Sequence, residues 1–266
     1  LLDVIQSGSD DKLNQTSFTQ PALLATSYLY YKKFLSITEL TPNIMAGHSL
    51  GEYSALVASG SIDFKTALNL VYKRGLFMEK SDAGSMFAIL NLDIETIYSI
   101  CDEVRDTLDQ IVAPANINSA NQVVIAGSHE AAALAAEKCK VAGAKRTIQL
   151  KVSVASHCNL MQSASILLSE EMKNIKFNNP AIPIIHNVNA LESNNNDDDI
   201  AQKLTDQLIK PVQWLKTMEK INMLDGIVVE CGPGRVLSGL AKTNGLSNIL
   251  TMSSDNFKDN FNNIYG

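Results

Sequence analysis

The stretch "NIMAGHSLGEYSALVASG" (43–60) sets a serine inside Gly-x-Ser-x-Gly, between a short apolar run and a helix of small residues. A serine in that pattern stands where a strand turns sharply into a helix, and the glycines, Gly47 and Gly51, let neighbouring backbone pass close to it. A strand feeding straight into a helix is the building step of an α/β layer with a parallel sheet. The same turn sets up a chemistry. It exposes the Ser49 hydroxyl at the strand end and leaves the Leu50 amide, at the positive end of the following helix, as the natural donor to a developing oxyanion.

The flanking pattern supports an α/β reading. "PALLATSYLYYKKFL" (21–35) keeps apolar residues at helical spacing, with Pro21 suited to a first turn. Gly60 suits the end of the elbow helix, and Asp63 suits the N-cap of the next, "FKTALNLVYKRGLFMEK". The middle of the chain reads differently: strand "MFAIL", helix "DIETIYSICDEVRDTL", strands "IVAPANIN" and "QVVIAG" around the turn "SAN", helix "HEAAALAAEKCKVAG", strand "KRTIQL". This β-α-β-β-α-β order is that of a ferredoxin-like subdomain. The expected organisation is therefore a large α/β body, 1–83 and 154–266, with a small ferredoxin-like subdomain, 84–153, inserted in it. In the returning body "SASILLSEEMKNI" is amphipathic, "IPIIHNV" and "GIVVEC" suit buried parallel strands, and the acidic run "ESNNNDDD" (192–199) reads as a solvated loop.

Composition removes several function classes. The 266 residues are 45% hydrophobic and 19% charged, which excludes disorder, and the net charge of −6 lacks the basic excess of a general nucleic-acid binder. Cys101, Cys139, Cys158 and Cys231 show no metal-ligand spacing and read as reduced thiols. No apolar run approaches the roughly 20 residues of a membrane span, and no signal peptide is visible, so a cytoplasmic protein is expected.

A serine nucleophile needs a base, and the chain has four histidines. His48 adjoins the serine, but adjacent side chains on an elbow point apart, which makes it a wall of the pocket. His129 opens a helix and suits the surface or a cap; His186 lies in a strand run and suits the core. His157, in "VSVASHCNLM", stands where the subdomain returns the chain to the body. By position alone it serves equally as base or as structural residue. No histidine follows His186, so the Ser…Asp/Glu…His order of an α/β-hydrolase cannot be completed and that fold is disfavoured.

Six segments in order, "GHSLGEYSALVASG", "VYKRGLFM", "QVVIAG", "VSVASHCNLM", "QLIKPVQW" and "ECGPGRVLSGL", resemble the malonyl-CoA:acyl carrier protein transacylases of fatty-acid synthesis and the related acyltransferase domains of polyketide synthases. The resemblance runs from about Leu13 to Leu240. It implies that Ser49 carries the malonyl group as an ester and that His157 is its base, oriented by the backbone carbonyl of Gln207. It further implies that Arg74 binds the free malonyl carboxylate, with Gln20 lining the same substrate pocket, to which the elbow geometry adds His48 as a wall. A guanidinium suits that role, since it grips a carboxylate through two parallel hydrogen bonds, and the chain has only four arginines among its 22 basic residues. Acetyl would leave this cation unpaired, which favours malonyl. Leu50 also favours malonyl, whereas Ala155 stands where the free-standing bacterial enzymes usually carry proline.

The implied reaction is ping-pong transfer from malonyl-CoA to the phosphopantetheine thiol of holo-acyl carrier protein, with no metal or cofactor, because the thioester already carries the activation. Lys140, Lys145, Arg146 and Lys151 read either as the surface that docks the acidic carrier or as a solvated strand edge. The family also begins with a strand ending in a Gly-Gln-Gly-Ser-Gln loop, which this sequence lacks, so the chain is expected to be part of a longer protein. A polyketide synthase acyltransferase domain, a serine hydrolase of the same fold and a non-catalytic carrier-binding module remain as alternatives.

Overall fold

The computed structural model describes residues 1–193 and 200–265, so most of the acidic run 192–199 lies outside the described residues. Helices α1 (Leu2–Ser7) and α2 (Asp10–Leu13) lead into the long helix α3 (Thr16–Thr38). Pro21 sits inside α3, not in its first turn as its spacing suggested. Proline removes the hydrogen bond to the Ser17 carbonyl, but the start of the helix is held from outside. The Ser17 N–H donates to Glu79 Oε1 at 2.9 Å.

Next come β1 (Met45–Ala46), α4 (Gly51–Ala58) and α5 (Phe64–Glu79). Asp63 caps α5 as expected, accepting from the Thr66 N–H at 3.0 Å. Helices α3 and α5 cross in direct backbone contact. A Cβ built on Gly75 would lie 2.5 Å from the Ser17 Cα, so only glycine permits the approach. That crossing brings Gln20 of α3 beside Arg74 of α5.

The central segment forms β2 (Ser85–Leu90), α6 (Ile94–Leu108), β3 (Val112–Ser119), β4 (Gln122–Gly127), α7 (His129–Val141) and β5 (Arg146–Gln149). Its sheet has the order β3-β4-β2-β5 with antiparallel neighbours, the ferredoxin-like arrangement. Helix α6 buries Ile97, Ile100, Cys101 and Val104, a stripe at spacings of three, one and three that faces the core. Helix α7 buries four alanines and Cys139, whose small side chains let it lie close to the sheet. Ile89, Val123 and Ile125 complete this core.

The chain then returns through a short 3₁₀ turn (Asn159–Met161) to α8 (Gln162–Met172), β6 (Ile184–Ile185), α9 (Ile200–Gln207), α10 (Trp214–Asn222), β7 (Val228–Glu230), α11 (Val236–Thr243), β8 (Ile249–Thr251) and α12 (Phe257–Tyr265). β1 pairs with β6 and β7 with β8, both in parallel, in register Met45 with Ile184 and Val228 with Ile249. β1 and β6 are shorter than the apolar runs that announced them, because the residues after each leave the ladder to form the serine turn and the His186–Asn187 segment. A separate seam joins the two parts. The Ile117 N–H donates to the Val212 carbonyl and the Val212 N–H to the Ala115 carbonyl, each at 2.9 Å, so the segment after α9 runs along the edge of β3.

Candidate active site

β1 runs into the turn Gly47–Leu50, and α4 starts at Gly51. Ser49 adopts φ 51°, a left-handed conformation that a residue with a side chain rarely takes. Two clamps hold it there. The Ser49 N–H donates to Asn187 Oδ1 at 2.6 Å, and Asn187 Nδ2 donates to the Gly47 carbonyl at 2.7 Å, so one side chain ties both flanks of the turn. A Cβ on Gly47 would lie 1.9 Å from the Gly51 carbonyl carbon, which makes glycine obligatory there. The expected equal role of Gly51 is not seen: a Cβ there meets nothing within 4 Å, since the close approach is made by its backbone to Gly47. The Leu50 amide donates to no acceptor among the described residues and stands free at the head of α4.

His157 faces this serine, with Nε2 2.9 Å from Ser49 Oγ. Its Nδ1 lies 2.6 Å from the Gln207 carbonyl oxygen, which can only accept, so the proton sits on Nδ1 and the Nε2 lone pair is aimed at the Ser49 hydroxyl. His157 also has a left-handed φ, 65°. Burial, with the Arg74 charge second, pushes its pKa down to about 3. The imidazole is thus held neutral and ready to accept a proton.

Arg74 is 1% exposed. One terminal nitrogen donates to Gln20 Oε1 at 2.6 Å; the other donates to Gln207 Oε1 at 3.0 Å and reaches Ser49 Oγ at 3.4 Å. The guanidinium carbon lies 5.4 Å from the centroid of the buried Tyr53 ring. Burial lowers the Arg74 pKa, yet no carboxylate of the described residues lies within 4.0 Å of it. A buried cation whose hydrogen bonds go only to neutral oxygens, beside the serine hydroxyl and with the Glu52 charge acting on it only through space, is suited to receive an anion. Gln20 is fixed in turn by Thr16 Oγ1, which accepts from its Nε2 at 2.7 Å.

Beneath the elbow lies a polar cluster that sequence reasoning did not find. Glu52, 1% exposed on α4, accepts from the Asn187 N–H at 3.1 Å and from Gln207 Nε2 at 2.8 Å, and its other oxygen is 2.7 Å from His186 Nδ1. Gln207 Nε2 also donates to the Ser49 carbonyl at 3.0 Å. Gln207 therefore acts through its side chain as well as its carbonyl. The signal available for Glu52 was its place in "SLGEYSAL", three residues after the serine on a helix whose other buried residues are Tyr53, Ala55, Leu56 and Val57. Asn187 offered no local signal, because its partners at the elbow and on Glu52 lie 135 to 140 residues away.

The remaining histidines fall as follows. His48 Nε2 is 2.9 Å from Asn118 Oδ1 of β3, and its ring meets Trp214 edge-on at 5.2 Å, so it joins the elbow to the small sheet and stays neutral through burial. His129 is exposed at the start of α7, with Nδ1 2.8 Å from Ser85 Oγ. His186 is fully buried, as its strand context suggested. Cys101, Cys139, Cys158 and Cys231 are unpaired thiols, and no helix among the described residues is long and apolar enough to cross a membrane.

A strained serine on a strand-to-helix turn, a neutral histidine within hydrogen-bond reach and an unengaged amide at the head of the following helix are the parts that serine acyl transfer requires. The chain belongs to the acyl transferase domain family, whose profile matches residues 1–245. It is 46% identical over 242 residues to the malonyl CoA-acyl carrier protein transacylase of Escherichia coli K12, covering 89% of this chain and 77% of that protein. Among solved structures, the malonyl CoA-acyl carrier protein transacylase of Coxiella burnetii superposes with a TM-score of 0.92 at 38% identity, covering 98% of this chain and 83% of that one. A type II PKS acyl-carrier protein in complex with its malonyl-transacylase gives 0.88 at 43% identity, covering 94% and 81%.

Proposed function

We propose that this chain transfers a malonyl group from malonyl-CoA to the phosphopantetheine thiol of holo-acyl carrier protein, in fatty-acid biosynthesis and in the cytoplasm, through a malonyl ester on Ser49. The observation that carries the reading is the line Gln207 carbonyl–His157–Ser49, with the buried Arg74 guanidinium 3.4 Å from the serine oxygen. The names of the relatives support malonyl-CoA as donor, and the related complex with an acyl-carrier protein supports the acceptor.

His157 Nε2 takes the Ser49 proton as Oγ attacks the thioester carbonyl. The Leu50 amide stabilises the tetrahedral oxyanion. The C–S bond breaks, and coenzyme A leaves as the thiol with the proton from His157. In the second half the carrier thiol gives its proton to His157, its sulfur attacks the ester carbonyl, and Ser49 regains the proton. Arg74 holds the malonyl carboxylate between Gln20 and Gln207, away from the reacting carbonyl, while His48 closes the wall next to the serine. The body 1–83 and 154–266 supplies nucleophile, base and cation; the subdomain 84–153 contributes Asn118, against His48, and the exposed basic edge.

The reading is tested by peptide mapping after brief exposure to malonyl-CoA, comparing the protein with Ser49→Ala. A malonyl ester on the Ser49 peptide that is absent from the variant is the expected result. Labelling that persists elsewhere in Ser49→Ala refutes it, and steady release of coenzyme A without any carrier identifies a hydrolase.

A further inference from the structure

Glu52 touches neither the serine oxygen nor the anion receptor, yet it decides how both are presented. The amide of Gln207 could in principle lie either way round. Its Nε2 meets two oxygens that only accept, Glu52 Oε2 at 2.8 Å and the Ser49 carbonyl at 3.0 Å. The nitrogen must therefore face the elbow, which turns Oε1 to the other side, where it accepts from Arg74 at 3.0 Å. A carboxylate on one end of an amide also polarises it, so the oxygen facing Arg74 is a better acceptor than an isolated amide would be. The same Glu52 oxygen fixes the Asn187 backbone at 3.1 Å, and the Asn187 side chain clamps both flanks of Ser49. His186 completes the set by holding the other carboxylate oxygen at 2.7 Å.

We infer that Glu52 is a positioning residue that sets the preference for malonyl over acetyl donors, by locking the Gln207 side chain and through it the Arg74 guanidinium. This inference rests on the malonyl-transfer reading above. Removing the carboxylate takes away the shortest contact of Gln207 Nε2, leaving the Ser49 carbonyl at 3.0 Å and Asn187 Oδ1 at 3.5 Å, and so loosens the hold of Gln207 on Arg74. A loosened cation binds the malonyl carboxylate less well, whereas acetyl has no group for it to bind. Malonyl transfer therefore falls further than acetyl transfer.

Glutamine is the informative replacement. In Glu52→Gln the amide oxygen can still accept from Asn187 and Gln207, while its NH₂ turns to His186. His186 can move its proton to Nε2, which has no partner in the structure, and accept at Nδ1. Geometry is kept without the charge.

The test measures kcat/KM for malonyl-CoA and acetyl-CoA with holo-acyl carrier protein, for the unaltered protein, Glu52→Ala and Glu52→Gln, with thermal unfolding of each. The expected result is a malonyl-to-acetyl ratio about tenfold lower in Glu52→Ala, carried by a higher KM for malonyl-CoA, and restored to within about threefold in Glu52→Gln. Equal losses for both donors in a folded Glu52→Ala overturn the inference, because a merely structural role lowers both together. If Glu52→Ala does not fold, Glu52→Asp replaces it. Its carboxylate is drawn back from Gln207 by one methylene, so the ratio must fall there and hold in Glu52→Gln; an unchanged ratio in Glu52→Asp overturns the inference. Unaltered protein that forms no malonyl ester on Ser49 refutes instead the malonyl-transfer reading beneath it.

Discussion

Replacing Arg74 with methionine keeps much of the side-chain volume and removes the charge. The guanidinium has Gln20 Oε1 at 2.6 Å, Gln207 Oε1 at 3.0 Å and Ser49 Oγ at 3.4 Å as neighbours, and the buried Glu52 carboxylate acts on it through space, without an ion-pair contact. In the proposed reaction the malonyl carboxylate pairs directly with Arg74, and that pair forms only on binding. Losing one partner of a buried ion pair costs about 3–5 kcal/mol, which at ~1.4 kcal/mol per tenfold is about 10²–10⁴-fold in kcat/KM for malonyl-CoA. Acetyl-CoA has nothing to pair with Arg74, and the variant spares it a buried bare cation. Arg74 also lowers the His157 pKa, so its removal leaves the base, if anything, more basic. The acetyl-CoA value should therefore change by less than about threefold and the donor preference should collapse. Stability should hold within a few kcal/mol, since two unpaired amide oxygens, at ~1–3 kcal/mol each, are offset by relief of a buried charge. Stopped-flow release of coenzyme A with each donor, alongside urea unfolding, decides the matter. Equal losses for both donors would refute the reasoning and make Arg74 a structural residue.

Four further outcomes are expected. With the folded His157 pKa at about 3 and the unfolded value at 6.5, the base stays neutral in mild acid, and Ser49 loading should vary less than about threefold from pH 7.5 to 5.5; a titration near 6.5 in single-turnover loading would contradict this. The linked stability is fully present above pH 6.5 and lost as pH falls from there toward 3, because only the unfolded chain takes up this proton; the slope, up to about 1.4 kcal/mol per pH unit, should be absent from His157→Gln and so appear in the difference between the protein and that variant in urea titrations. Gly47→Ala forces a Cβ to within 1.9 Å of the Gly51 backbone and should cost more than about 4 kcal/mol or prevent folding, whereas Gly51→Ala meets nothing and should stay within about 1 kcal/mol by the same titration. Reversing the exposed Lys145 and Arg146 to glutamate should slow discharge onto the carrier by about tenfold at low salt and leave loading of Ser49 unchanged; loss of both half-reactions together would remove the basic edge as the docking surface.

The features legible in the sequence were those that act locally. Gly47 announces the elbow because the turn is closed by residues four positions apart, and β2–β4 announce the small sheet because each has at least six residues, enough for periodicity to show. The Asp63 cap was equally local. Arg74, Gln20 and Gln207 came through resemblance, since nothing in "VYKRGLFM" itself shows that the α3–α5 crossing buries the arginine. Pro21 misled because Ser17 is anchored by Glu79, 62 residues away. Parallel strands of two or three residues carry too little pattern to fix their ends, and β8 was missed for that reason. The Glu52, Asn187 and Gln207 cluster is the extreme case, a buried polar set whose members become neighbours only once the fold exists.

The central claim is that Ser49, activated by His157, carries malonyl between two thiols. Intact-protein mass spectrometry tests it most directly, after brief exposure to malonyl-CoA and then to holo-acyl carrier protein. The account predicts one malonyl adduct, on the peptide containing Ser49, that moves to the carrier when carrier is added. An adduct lost to water at the same rate with or without carrier, or no adduct at all, would contradict it.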